Sequence, residues 1–157
     1  MKLKDILRFE GPLGTFHLRE ASKKPIVMVA GGTGFAPIKA IVEHAIAQKI
    51  QRPMFIYWGA KAKVDLYQNA LPEQWAAAHA QIKYIPVLSE PSLDDAWTGR
   101  SGFVHQAAMA DFPDLSGYQV YACGSPGMIE TVKADFVKHC KLPEEEFFAD
   151  AFSYSTS

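Results

Sequence analysis

The sequence is poor in cysteine, in clustered histidine and in net charge, and each shortage excludes a class of function. Two cysteines, Cys123 and Cys140, stand among 157 residues. They fall in different expected elements, which gives no disulfide framework, and a reducing, cytoplasmic setting is expected. The five histidines (His17, His44, His79, His105, His139) are scattered. None pairs with Cys, Asp or Glu at a metal-ligand spacing, so no metal site is expected. The formal net charge is -1, which argues against nucleic acid or an anionic membrane as the main partner. No apolar run approaches the roughly 20 residues that span a bilayer. The opening Met1–Asp5 shows no apolar signal-peptide core. There is no internal repeat and no low-complexity tract.

What is present is an alternation of apolar bursts with helical spacing. Residues 25–30, 53–58, 82–88, 118–123 and 146–151 read as strands. Residues 35–49, 66–80, 102–111 and 126–140 read as helices, with Asp65 the N-cap candidate of the second. The near-continuous apolar strands suit a parallel sheet covered on both faces. Strands alternating with helices predict right-handed βαβ units in an α/β, doubly wound, five-stranded parallel sheet with helices on both faces. Ile38, Ile41, Val42, Ala45 and Ile46 form a buried stripe. Ile129, Val132, Phe136, Val137 and Cys140 form another. Residues 1–24 differ: weak alternation, a strong turn at Gly11–Gly14 and a short strand signal read as the end of another unit.

Two strand-to-helix junctions carry the chemistry. The first is Ala30-Gly31-Gly32-Thr33-Gly34-Phe35-Ala36-Pro37. Strand, glycine turn and helix N-terminus present bare backbone N–H groups to a phosphate, and Pro37 suits a first helical turn. The other reading is a tight βα turn without a ligand. The second is Tyr121-Ala122-Cys123-Gly124-Ser125-Pro126-Gly127-Met128. Ligands of doubly wound sheets sit beyond the carboxyl ends of the strands, so both junctions are expected to line one crevice. Against this stands the reading that Gly124 and Pro126 only shape a turn and that Cys123 is a small buried hydrophobe.

Together these two motifs resemble the nicotinamide-binding domain of the ferredoxin–NADP reductase superfamily. Within it they are similar to flavin reductases and to the reductase components that serve oxygenases and deoxysugar enzymes. Three further stretches share the likeness: Tyr57-Trp58-Gly59-Ala60 with Asp65-Leu66-Tyr67, Trp97–Val104, and Phe148–Phe152. The resemblance spans about residues 1–152. It implies that Gly31, Gly32, Thr33 and Gly34 cradle the pyrophosphate with Pro37 opening the helix. It places Cys123 and Gly124 beside the nicotinamide C4, with Ser125, Pro126 and Met128 completing that junction and Trp58 and Gly59 on the strand-two loop. It gives Asp150 and Phe152 the acidic and aromatic positions that close over flavin and the hydride-transfer site; core packing is the other reading of Phe152. Arg100 either touches the dinucleotide or pairs with Asp94 or Asp95.

The superfamily's flavin-binding β-barrel, with its Arg-x-Tyr/Phe-Ser motif, does not precede this domain in the sequence. Residues 1–24 resemble only the barrel's last strands, and residues 25–157 the dinucleotide-binding domain. No Cys-x4-Cys-x2-Cys iron–sulfur box occurs. The expected function is NADH binding within an oxidoreductase that passes a hydride to FAD or FMN, the chain alone being inactive. The expected partners are the flavin-binding domain and a downstream acceptor: an iron–sulfur protein, an oxygenase, a deoxysugar enzyme or free flavin. Glu90 follows strand three where NADP-dependent relatives tend to carry Ser-Arg, which favours NADH; a solvated loop acid is the other reading, and Lys61 and Lys63 leave NADPH open. The alternative function is a non-catalytic dinucleotide-binding or interaction module.

Overall fold

A computed structural model describes residues 18–31, 35–66, 69–91, 93, 96–97 and 99–151. Six strands alternate with helices: β1 (Ile26–Gly31), α1 (Phe35–Ala47), β2 (Met54–Ala60), α2 (Ala70–Ala78), β3 (Ile82–Leu88), β4 (Arg100–Ser101), α3 (Val104–Asp111), β5 (Gln119–Gly124), α4 (Pro126–His139) and β6 (Phe147–Ala151). All pairings are parallel. The spatial order is β4-β3-β2-β1-β5-β6. The chain therefore builds outward from β1 to β4, then returns to lay β5 on the other side of β1. That reversal is the topological switch at which α/β sheets open a crevice.

The expected five-stranded sheet has a sixth member. Arg100 and Ser101 pair with Val87 and Leu88, a two-residue edge too short to show a period. The second helix also differs from expectation. It begins at Ala70, not Leu66, and the physical reason is Pro72. A helix from Leu66 would put that proline in its interior, where it lacks an N–H and clashes with the preceding turn; from Ala70 it lies in the tolerated first turn. Asp65 instead ends a 3-10 turn, Lys63–Asp65, and its carboxylate accepts from the Ala62 N–H at 3.2 Å.

Side chains of each strand alternate between two cores. Met28, Ala30, Ile56, Trp58, Tyr121 and Cys123 face α1 and α2. Val27, Val29, Tyr57, Val87, Val120 and Ala122 face α3 and α4. β1 is buried along Ile26–Ala30 and β5 along its whole length, as a sheet covered on both faces requires. The stripe read on α1 packs inward, with Ile46 at its margin. Each side chain of this size contributes about 1.5–3 kcal/mol on burial, so the two apolar layers outweigh any local helix or strand preference. Residues 18–24 are not detached from this body: Leu18 is buried in the α1-side core. The strand signals before residue 18 lie outside the described residues.

Candidate functional site

Parallel pairing brings all the strand ends to one edge. Ala30 of β1 stands opposite Cys123 of β5, so Gly31 and Gly124 follow side by side at the switch point. Neither has room for a side chain. A β-carbon on Gly31 would lie 2.5 Å from Met128 Sδ, and one on Gly124 would overlap the same sulfur. One thioether thus fills the notch between the two strand ends. Met128 is held there because α4 starts abruptly. Ser125 is its N-cap, with Oγ accepting from the Met128 N–H at 3.2 Å, and Pro126 opens the first turn. Ser125, Pro126 and Gly127 are exposed beside the buried Gly124. Pro37 lies in the first turn of α1, while Gly32, Thr33 and Gly34 lie outside the described residues.

Cys123 is completely buried. Burial, and then the charge of Asp150, push its thiol well above the ordinary range, with only the Asp150 backbone N–H opposing. It is a neutral thiol at neutral pH, unfit as a nucleophile. Asp150 stands opposite Cys123 on β6; Phe152 lies outside the described residues.

A cleft of about 540 Å³ runs between the N-termini of α3 and α4, lined by Phe103, Val104, Gln106, Met128 and Thr131, among others. A second, of about 280 Å³, shares Phe103 and Val104 and reaches Gly59, Lys61 and Ser89 at the ends of β2 and β3. Sequence reasoning assigned no role to Phe103. It is 62% exposed and stands at the N-cap of α3. Gly102, at φ 110°, turns the chain from β4 into that helix, a backbone conformation that favours glycine. The Gly-Phe step after β4 was the available signal. His105 Nε2 and Asp135 Oδ2, 3.1 Å apart, link α3 to α4 and also line the larger cleft.

Three expected site residues have structural partners of their own. Trp58 is a core residue, wholly buried and stacked on Phe35 with centroids 4.1 Å apart and planes 8° apart; its inward position on β2 decides this. Gly59 borders the smaller cleft, yet a β-carbon there would sit 2.5 Å from Val104 Cβ, so its bareness first serves the packing of α3. Arg100 directs its guanidinium to Asp111 Oδ2 at 2.9 Å and the Ala107 carbonyl at 3.2 Å. Tyr57 donates to the same carboxylate oxygen at 2.6 Å. Burial pushes the Asp111 carboxyl up, but these bonds and the arginine charge outweigh it and hold it below the carboxylate range. Glu90 is exposed beyond β3, its N–H bonded to the Lys61 carbonyl at 2.8 Å. Among the described residues no His/Cys/Asp/Glu cluster could hold a metal, and no helix is long and apolar enough to cross a membrane.

Two bare strand ends at the switch of a parallel sheet, with a capped helix rising beside one of them, define a dinucleotide-binding α/β domain. Comparison makes this specific: the chain belongs to the oxidoreductase NAD-binding domain family, which matches residues 28–134, and its fold is that of ferredoxin reductase-like domains. It is 50% identical over 152 residues to the CDP-6-deoxy-L-threo-D-glycero-4-hexulose-3-dehydrase reductase of Yersinia pestis, covering 97% of this chain and 45% of that protein. It is 35% identical over 150 residues to the NAD(P)H-flavin reductase of Aliivibrio fischeri, covering 96% and 62%. Among solved structures it matches the Amycolatopsis cytochrome P450 reductase GcoB with a TM-score of 0.81 at 31% identity, covering 92% and 43%. The chain spans about half the length of the curated relatives it matches.

Proposed function

We propose that the chain is the NADH-binding half of a flavin-dependent reductase whose flavin is carried by a preceding domain. The observation that carries this reading is the pair Gly31 and Gly124, side by side at the switch point with a single thioether between them. Both glycines pack under the Met128 thioether, and the capped start of α4 beside them adds N–H groups and a favourable dipole for an anion. The relatives named as a flavin reductase and a deoxyhexulose dehydrase reductase support a hydride-transfer role.

In this reading NADH lies along the carboxyl edge. The pyrophosphate meets the turn after β1, where Gly31 is followed by Gly32, Thr33 and Gly34. The exposed Phe103 ring, which lines the larger cleft together with Met128, offers an apolar platform for a base. The nicotinamide lies over Cys123 and Gly124, where a buried neutral thiol adds bulk and polarizability without a charge. Asp150 and Phe152 border the hydride-transfer end. A flavin supplies the two-electron acceptor that a nicotinamide hydride requires. Electrons then pass to a further acceptor, for which a sugar dehydrase, an oxygenase component or free flavin fits the relatives.

Glu90 is the basis for preferring NADH. It is exposed at the end of β3, and its backbone is tied to Lys61. A carboxylate there accepts from ribose hydroxyls and repels a 2′-phosphate. At about 5 Å and an effective dielectric of about 40, each unit pair costs roughly 1.5 kcal/mol, and because the phosphate carries about 1.5 to 2 charges the total is worth about one to two powers of ten in affinity. Lys61 and Lys63, both exposed, oppose this weakly because such charges are mobile and screened. The deciding measurement is the ratio of dissociation constants for NADH and NADPH before and after Glu90→Arg, at fixed salt. Tighter NADH binding by the native chain, and a shift toward NADPH in the variant, are expected. Equal affinities, or an unmoved ratio, would remove Glu90 from the ribose; absence of any binding would sink the whole reading.

A further inference from the structure

At the opposite, amino-terminal edge of the sheet lies a buried polar network unrelated to the crevice. Arg52, just before β2, is only 6% exposed. Its Nε donates to the Lys24 carbonyl at 2.8 Å, its Nη1 to the Arg19 carbonyl at 2.9 Å, and its Nη2 to Gln119 Oε1 at 2.8 Å. Gln119 Oε1 also accepts from the Tyr121 hydroxyl at 3.0 Å, and that hydroxyl accepts from the Arg19 N–H at 2.9 Å. Gln119 Nε2 donates to Glu146 Oε1 at 2.8 Å, and Lys24 Nζ to Glu146 Oε2 at 2.7 Å. The Arg19 guanidinium lies 4.5 Å over the Phe148 ring.

These contacts have one common object. Every chain of bonds ends on residues 19–24, the segment that leads into β1. Arg52 grips it at two carbonyls five residues apart, while Tyr121 holds it from β5, Phe148 from β6 and Glu146 from the 3-10 turn that precedes β6. An arginine is suited to this: its planar fork satisfies three acceptors at once, which a lysine ammonium on a flexible stem does not. Burial pulls the guanidinium below its ordinary value, opposed by Tyr121 and Glu146, and its hydrogen bonds offset the cost of burying the charge. A tether needed only for connection would require none of this.

We propose that Arg52 is a positioning residue: it makes residues 18–24 a rigid strap and thereby sets where the preceding flavin-bearing domain stands relative to the nicotinamide end of the crevice. This rests on the function proposed above. Its force comes from geometry, because a displacement of about 1 Å between reacting groups costs about a hundredfold in rate.

The test compares the native protein with Arg52→Met, Arg52→Lys and Tyr121→Phe. In this chain, hydrogen exchange is read at the Arg19, Ser22 and Lys24 amides, each of which donates within the strap or to Tyr121. In Arg52→Met they should exchange at least about tenfold faster, the loss of one or more hydrogen bonds, while the β1 amides and the NADH dissociation constant stay unchanged. Arg52→Lys should recover only part of the protection. Tyr121→Phe, which keeps the core ring, should loosen Arg19 first and serves if Arg52→Met does not fold. In the full-length reductase, Arg52→Met should lower the limiting rate of flavin reduction by about tenfold to a hundredfold with KM for NADH unchanged. Unchanged strap exchange in variants that still bind NADH would overturn the inference and leave the proposed function standing. A loosened strap with undiminished flavin reduction would overturn it equally. A native chain that fails to bind NADH would instead sink the proposed function, and the catalytic half of the inference with it.

Discussion

Met128 Sδ lies 2.5 Å from where a β-carbon on Gly31 would stand, and the same sulfur blocks a side chain on Gly124. Glycine at two strand ends and methionine on α4 are thus one spatial unit. The blocking atom ends a flexible side chain, so Gly124→Ala should fold by displacing Met128 into the cleft. NADH affinity should then fall by about tenfold or more, with a thermal midpoint lowered by only a few degrees. Met128→Ala in the same chain should restore room and recover part of the affinity, a coupling that a double-mutant cycle reads directly. Additive effects would separate the glycine from the methionine.

The Cys123 thiol should be inert in the folded chain. Burial and Asp150 suppress its thiolate, and the thiolate is the reactive form. Alkylation by iodoacetamide near pH 8, followed by peptide mass spectrometry, should label Cys123 at least about tenfold more slowly in native protein than in urea. In the full-length reductase Cys123→Ser should slow flavin reduction without abolishing it. A trapped covalent adduct on Cys123 would contradict both statements.

Trp58 should govern stability and leave ligand affinity alone. Its ring is buried against Phe35 at 4.1 Å, and Trp75 also stacks on Phe35 at 5.9 Å. Trp58→Ala should cost about 3–5 kcal/mol in urea unfolding. The folded fraction should bind NADH with native affinity.

Glu146 gives a pH signature. Burial pushes its carboxyl up, but the bonds from Lys24 and Gln119, with the nearby charges of Lys24 and Arg52, hold it below the ordinary value. A carboxyl lowered in the folded state stabilises the fold above its unfolded value, about 4.3 for glutamate. That contribution is lost as pH falls through the lowered folded value. Urea midpoints of the native chain and Glu146→Gln should therefore differ at neutral pH and converge as pH falls below the unfolded value. A constant gap across this range would assign the difference to packing.

The parallel strands and the two glycine junctions were legible because a two-faced sheet demands continuous apolar runs and the turns demand glycine. Helix α4 was legible at Ile129, Val132, Phe136 and Cys140, whereas Val137, read into the same stripe, is only half-buried and lines a surface groove with Glu130 and Lys133. The start of α2 was misread because the local N-cap signal at Asp65 competed with Pro72, and proline geometry prevailed. The two-residue β4 carries no period at all. Glu90 is exposed one residue beyond Ser89, which borders the smaller cleft.

Apolar pattern and glycine placement thus determined the alternation of strands and helices and the two-faced burial of the central strands, since these depend on chain-local chemistry repeated along the sequence. Tertiary structure alone decided which side chains serve the crevice and which serve the core. Trp58 and Arg100 look like site residues by position, yet one is stacked inside the sheet and the other is bound to α3. Arg52 carries no motif, yet it meets Arg19, Lys24 and Gln119 because three segments distant in sequence converge at one sheet edge. Contacts of that kind depend on strand order and direction, which only the folded chain supplies.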